Sequence, residues 1–279
     1  MPELPEVETI IRRLRNGTPD DPGVIDQTIQ SVDITWPKII AAPDPHKFQQ
    51  SLAGKTIISA RRRGKFLHFP LNDGHLIGHL RMSGDMRIEA RLAPDGQAVP
   101  PGLYDRVLIN FLSLYRLVFS EIRKFGRLWY VENPQEVFQR LGPEPLDLAF
   151  TGQQLYAMLQ ARTRSIKPLL MDQAFIAGMG NIYTDEALFR AHIHPLRKSN
   201  SLSVSETDAL HHAIQAVLKQ GILSFGASLD WFYRGGEFQN DFNVYGQTGE
   251  PCPNCGTRIE KIVVGQRGTH FCPKCQQIA

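Results

Sequence analysis

Pro2, Glu3 and Glu6 are the first residues whose types and spacing could do chemistry together. A small residue in second place normally lets the initiator methionine be removed. The mature chain would then begin at Pro2, whose nitrogen becomes a secondary amine rather than an amide. An α-amino group has a reference pKa of about 7.7–8.0, so roughly a tenth is free base at neutral pH, far more usable nucleophile than a lysine offers. Two carboxylates within one turn of that amine make the stretch look like an active site placed at a chain end. A plain amphipathic helix, with acids that serve only its dipole, would explain the same ten residues.

Chemistry of a second kind sits at the other end. All four cysteines fall in the last 28 residues, as Cys252-Pro-Asn-Cys255 and Cys272-Pro-Lys-Cys275. A disulfide framework would not confine every cysteine to two C-x-x-C knuckles. Four thiolates at this spacing suit one tetrahedral structural zinc, with no position left open for catalysis. Between the knuckles, 259–264 and 267–271 read as a β-hairpin turning at Gly265-Gln266, which places Arg267 at the tip of a metal-stapled finger. Basic residues are bunched in three other places: Arg61-Arg62-Arg63-Gly64-Lys65, Arg123-Lys124 with Arg127, and Arg162, Arg164 and Lys167. Such bunching predicts phosphate contacts more than general solubility, although the net charge is only +3.

The elements that must position these groups follow from periodicity. Val7, Ile10, Ile11 and Leu14 recur at helical spacing, Pro5 suits a first turn, and Arg12, Arg13 and Arg15 complement the C-terminal end of the dipole. The positive helix end disfavours a cation and should depress the proline amine's pKa. Residues 17–133 carry short β-rich runs at 29–35, 56–61, 66–70, 76–80, 87–90, 106–111, 117–119 and 128–131, with one short helix at 46–52. Their number and spacing predict an all-β sandwich or barrel. After a linker containing Gly142-Pro143-Glu144-Pro145, the period turns helical at 153–161, 166–172, 181–191 and 205–224. Residues 225–242 form a Gly- and aromatic-rich stretch, long enough to be functional. With 279 residues there is material for more than one core. No apolar run approaches the ~20 residues of a membrane span and no signal segment opens the chain, which predicts an intracellular protein without membrane association.

Taken together, these blocks resemble the formamidopyrimidine-DNA glycosylases. The resemblance rests on Met1-Pro-Glu-Leu-Pro-Glu-Val-Glu-Thr9, Arg62-Arg-Gly-Lys-Phe66, His79-Leu-Arg-Met-Ser-Gly84 and Arg123-Lys-Phe-Gly126. It continues through Leu141-Gly-Pro-Glu-Pro145, Ile166-Lys-Pro168, Gly178-Met-Gly-Asn-Ile-Tyr183 and the four-cysteine finger with Gln266-Arg-Gly-Thr269. It implies an α+β multidomain chain: an N-terminal β-sandwich bearing the first helix (1–133), a linker (134–150), a helix–two-turns–helix DNA-binding domain (151–242) and a zinc-finger hairpin (243–279). The implied activity is bifunctional: excision of 8-oxoguanine and formamidopyrimidines from duplex DNA through a proline Schiff base, then strand cleavage by β,δ-elimination, in base excision repair. A monomer in the bacterial cytoplasm, associated with the nucleoid, is the matching expectation.

The same resemblance implies residue roles. Pro2 attacks C1′ of the damaged nucleotide and Glu3 shuttles protons; Lys65 completes the catalytic set as a phosphate grip, and Glu6 is a supporting carboxylate. His79, Asn181 and Arg267 hold the strained backbone while the target base is rotated out. Met82, Arg123 and Phe125 fill the hole, two as apolar wedges and Arg123 on the orphaned cytosine. Lys124 contacts DNA with less geometric definition, because this chain has Glu121-Ile-Arg-Lys-Phe125 where the family often has Asp-Pro-Arg-Arg-Phe. Two rivals remain at this level: an endonuclease VIII-type enzyme for oxidised pyrimidines, and a non-catalytic zinc-finger protein that binds damaged DNA.

Overall fold

A computed structural model describes residues 1–19, 21–228 and 235–278. Residues 229–234 of the predicted 225–242 loop therefore lie outside the described residues. The chain divides into two compact units, the first built mainly from 6–139 and the second from Glu3–Pro5 with Arg140–Ser228 and the C-terminal segment.

Helix α1 spans Leu4–Asn16. The apolar face read from the sequence is the buried one: Val7, Ile10, Ile11 and Leu14 are all in the core of the first unit. Its far end is tied down by Arg13, which donates to the Met86 carbonyl at 3.0 Å, and by Arg15, which donates to that of Ala60 at 2.8 Å. The strands that follow are β1 (Ile29–Ile34), β2 (Ile40–Ala42), β3 (Arg61–Arg63), β4 (Phe66–Pro70), β5 (His75–His79), β6 (Gly84–Ala90), β7 (Asp105–Phe111), β8 (Tyr115–Glu121) and β9 (Arg127–Val131). Helix α2 (Pro45–Leu52) interrupts them, N-capped by Asp44.

These strands form two separate sheets, ordered β1-β7-β8-β6 and β2-β9-β5-β4-β3, so the unit is a sandwich and not a barrel. Only the short β2–β9 pair is parallel. Val107, Ile109, Leu117 and Phe119 from one sheet meet Leu67, Phe69, Leu76 and Leu128 from the other in a single core. Buried positions alternate along β4, whereas β5, β7 and β8 are buried at nearly every position. The predicted strand at 56–61 does not form. Thr56 bridges Thr28 and Ile57 bridges Leu71 only as single, isolated pairs, and of the run Arg61 alone enters a strand, β3.

In the second unit α3 is absent, since that short turn (Gln135–Phe138) belongs to the first. The unit consists of α4 (Gly152–Gln160), α5 (Ile166–Leu170), α6 (Asn181–Arg190) and α7 (Val204–Leu223), then the hairpin β10 (Glu260–Val264) and β11 (Arg267–Phe271). Helix α7 starts one residue before the predicted 205. Ser203 is its cap and forms a capping box with Glu206, the spacing that satisfies two orphan amides at once. Tyr183, Leu188, Leu210, Ile214 and Leu218 anchor the helical core, which also takes in Leu4. No described helix is long and apolar enough to cross a membrane.

Candidate active site and nucleic-acid interface

Pro2 and Glu3 are both buried at the start of α1. Glu3 Oε1 accepts the amide hydrogen of Ile182, in the first turn of α6, at 3.0 Å. The amide of Leu4 donates to the Gly178 carbonyl at 3.1 Å, fixing the backbone on the other side of the acid. Gly180, the cap residue of α6, is the reason the carboxylate fits: a Cβ there would come within 2.2 Å of Glu3 Cδ. The Gly178-Met179-Gly180 segment therefore holds the protein's own carboxylate. The Ile182 amide, which has no partner within the helix, and the positive end of a ten-residue helix favour a negative charge at that place. Glu6 is buried as well.

In the first unit, Lys65 and His79 are both buried, and Phe66, next to Lys65, pairs with His79 across β4 and β5. His79 Nδ1 accepts the amide hydrogen of Arg81 at 3.0 Å, so its ring hydrogen belongs on Nε2. Burial, with the charges of Arg81 and Lys65, pushes the imidazole down to about 3. His79 is thus a neutral one-proton donor. Met82 and Phe125 are 39% and 48% exposed, and Arg123 and Lys124 are also exposed. The Arg123 guanidinium lies over the Phe125 ring, 5.2 Å from its centroid, and the Lys124 ammonium lies 3.9 Å from the ring centroid of Trp36.

In the second unit, Asn181 opens α6 and donates from Nδ2 to the Gly268 carbonyl at 3.1 Å. Its buried Oδ1 has no hydrogen-bond partner among the described residues. Lys167 donates to the same carbonyl at 3.0 Å and pairs with Asp185 Oδ1 at 2.6 Å, both side chains being wholly buried. Burial lowers the Lys167 pKa, and Asp185 opposes that shift. Asp185 Oδ2 in turn accepts from the His270 amide at 2.9 Å. The hairpin next to the exposed Arg267 is therefore fastened to α5 and α6 by a buried ionic network. This corrects the reading of Arg162, Arg164 and Lys167 as one basic cluster: Lys167 is an internal tie, and Arg164 pairs with Asp172. Sequence reasoning missed Lys167 in this role because a partner on the next helix leaves no local signal.

The hairpin turns at Gly265 and Gln266, both at positive φ, which is the type I′ geometry that a two-residue loop favours. Below it, the four Sγ atoms of Cys252, Cys255, Cys272 and Cys275 lie within 4.8 Å of one another. Two of the separations are 3.8 Å (Cys252–Cys275) and 3.5 Å (Cys255–Cys272). A tetrahedron with Zn–S bonds of about 2.3 Å has edges of about 3.8 Å, whereas a disulfide needs about 2.05 Å. The donor set fits one structural zinc, whose role is to staple the finger. Asp208, His211 and His212 on α7 also come close together. However, His211 Nε2 faces the Phe150 carbonyl at 2.7 Å and His212 Nδ1 that of Asp208 at 2.8 Å, which occupies those nitrogens structurally.

Two outcomes follow from this geometry. Gly180→Ala is expected to cost on the order of 1–3 kcal/mol in urea unfolding, the usual penalty of overpacking; an unchanged midpoint would mean that Glu3 does not sit against that Cα. The protein is expected to hold one zinc per chain by atomic absorption, and Cys272→Ser to lose both the metal and several degrees of melting temperature.

Comparison with known proteins accounts for each of these parts. The formamidopyrimidine-DNA glycosylase N-terminal domain matches residues 1–128, the H2TH domain of the same enzymes 141–231, and the zinc finger found in FPG and IleRS 249–278. The formamidopyrimidine-DNA glycosylase of Protochlamydia amoebophila is 42% identical over 286 residues, covering 99% of this chain and 100% of that one. The Bacillus subtilis enzyme of that name is 42% identical over 285 residues, covering 99% of each. Among solved structures, MutM in complex with carbocyclic 8-oxo-G containing DNA superposes with a TM-score of 0.88 at 38% identity, covering 99% of this chain and 100% of that one. Lactococcus lactis Fpg with abasic-site DNA gives 0.87 at 37%, with the same coverage. With all three regions matched in order and identity sustained end to end, the chain belongs to the formamidopyrimidine-DNA glycosylase family.

Proposed function

We propose that this protein is a bifunctional DNA glycosylase and AP lyase for oxidised purines, and that Pro2 and Glu3 carry its chemistry. The observation that carries this reading is the seating of Glu3: an acid held at a helix N-terminus, one residue from the nitrogen that removal of Met1 would free. That amine attacks C1′ of the damaged nucleotide, the glycosidic bond breaks, and its electron pair leaves with the base. Glu3 moves the protons needed for departure and sugar-ring opening, giving a cationic imine between Pro2 and C1′. The imine acidifies the C2′ hydrogen, so loss of that proton expels the 3′ phosphate, and a further elimination expels the 5′ phosphate. Covalent amine catalysis thus divides one hard displacement into easier steps.

The other assignments belong to the same proposal. Lys65, His79, Asn181 and Arg267 grip backbone phosphates, while Met82, Arg123 and Phe125 enter the space that the extruded nucleotide leaves. Lys124 supports that loop at the DNA. The relatives solved with DNA carrying 8-oxoguanine or an abasic site support double-stranded damaged DNA as the partner. We retain the division into a catalytic sandwich (1–133), a linker (134–150), a DNA-binding helical domain (151–242) and a finger (243–279), acting as a monomer. The bacterial sources of the relatives support a place near the nucleoid in the cytoplasm.

Borohydride is expected to trap a covalent complex between the Met1-processed protein and 8-oxoguanine duplex, and Pro2→Gly or retained Met1 to abolish it; trapping through a lysine when Pro2 is blocked would overturn the mechanism. His79 makes a second test. Because its pKa is depressed, it stays neutral from pH 5.5 to 8, so His79→Ala should weaken duplex binding by the same factor, about tenfold for one hydrogen bond to a charged group, at both ends of that window. An ordinary, cationic histidine would instead make the loss grow on the acid side.

A further inference from the structure

Glu121, the last residue of β8, is wholly buried, and its carboxylate gathers four donors. Oε1 accepts from the Ser83 hydroxyl and, at 2.9 Å, from the Arg123 amide. Oε2 accepts from the amides of Phe125 and, at 2.7 Å, Gly126. A guanidinium is near, but Arg106 donates to the Glu121 main-chain carbonyl at 2.8 Å, and no described residue forms an ion pair with the side chain. A buried carboxylate without a paired cation is costly unless dipoles replace the water it has lost. Here four donors from two different loops do so. One loop, between β5 and β6, carries Met82 beside Ser83; the other, between β8 and β9, carries Arg123 and Phe125.

Both loops also hold backbone that does not maintain itself. Arg81 has φ +56° and Lys124 φ +63°, left-handed conformations that L-residues with long side chains adopt at a cost. Arg81 directly precedes Met82, and Lys124 lies between Arg123 and Phe125. Exposed side chains on strained loops would ordinarily scatter. These share one internal anchor.

We propose that Glu121 is a positioning residue for insertion into DNA: its carboxylate fixes the Met82 loop and the Arg123–Phe125 loop as one rigid piece. The wedge that displaces a base and the guanidinium that reads its former partner then arrive together, without ordering either loop on binding. The inference rests on the assignment of Met82, Arg123 and Phe125 as the inserted set. Glutamine at 121 would keep the volume but place an NH₂ against two N–H donors. Aspartate would keep the charge one methylene short.

The test compares single-turnover excision of 8-oxoguanine opposite cytosine and opposite adenine with cleavage of a preformed abasic site in single-stranded DNA, where no partner base remains to be read. Glu121→Gln is expected to slow duplex excision opposite cytosine by about tenfold, the worth of one or two hydrogen bonds to a charged group, and to narrow the cytosine-to-adenine ratio. Single-strand cleavage should change by less than about twofold on the same scale. Glu121→Asp should recover part of the ratio. Ser83→Ala, which removes only the tie to the Met82 loop, should shift it in the same direction and serves if Glu121→Gln does not fold. Met82→Ala, Arg123→Ala and Phe125→Ala separate the two levels. If they alter the ratio and neither the Glu121 nor the Ser83 variants do, the anchor is refuted while the inserted set survives. If none of them alters it, the inserted set itself is wrong. A Glu121 variant that depresses all three activities equally would show a merely structural residue and would also refute the anchor.

Discussion

The contact on which the rest depends is the one between Glu3 and the first turn of α6. A carboxylate beside a reactive nitrogen is useful only if its distance and ionisation are set by something other than its own flexible chain. Here the amide of Ile182 and the bare Cα of Gly180 set its position. The acid is taken up as though it were a bound anion, so the helix that would otherwise attract a phosphate instead fixes the group next to the proposed nucleophile. The first few residues, which in most chains fray, are tied here to the helical core that Leu4 enters.

The same device recurs. Buried acids capture main-chain amides wherever an irregular segment has to keep its shape. Glu121 does this for the loop after β8. Asp185 does it for the hairpin, with Lys167 supplying the opposite charge. Glu186, also on α6, accepts from the amides of Asn243, Val244 and Tyr245 at 2.8–3.1 Å, where the chain leaves the helical core for the finger. Each arrangement would be destabilising if half-made, because a buried carboxylate lacking its donors loses several kcal/mol. Complete, each turns a floppy connection into a defined one. Helix α6 alone supplies two such acids and the seat for Glu3, so the architecture of the second unit radiates from ten residues.

Much of this was legible in the sequence, and the parts that were not share a physical reason. The zinc knuckles, the hairpin turn at Gly265-Gln266 and the buried face of α1 follow from local spacing, because the forces that make them act between residues near in sequence. The all-β character of the first unit follows from the number of short runs, which left sandwich and barrel both open. By contrast, 56–61 has strand composition but crosses between two partners, which composition cannot show. Lys167 and Arg164 look alike in a basic run, yet one is internal and the other pairs at the surface; only the distant Asp185 distinguishes them. Glu121 registers in the sequence merely as an acid where relatives often carry aspartate. Its importance comes from four donors whose convergence requires the folded strands.

The placement of Lys124 has an optical corollary. An ammonium resting on the face of Trp36 exerts a strong local field on the indole, whose emission wavelength depends on such fields. Displacement of the 122–126 segment removes that field. The protein consequently carries a built-in chromophore at the edge of the loop proposed to read DNA, and stopped-flow fluorescence can follow that loop's movement with no added label.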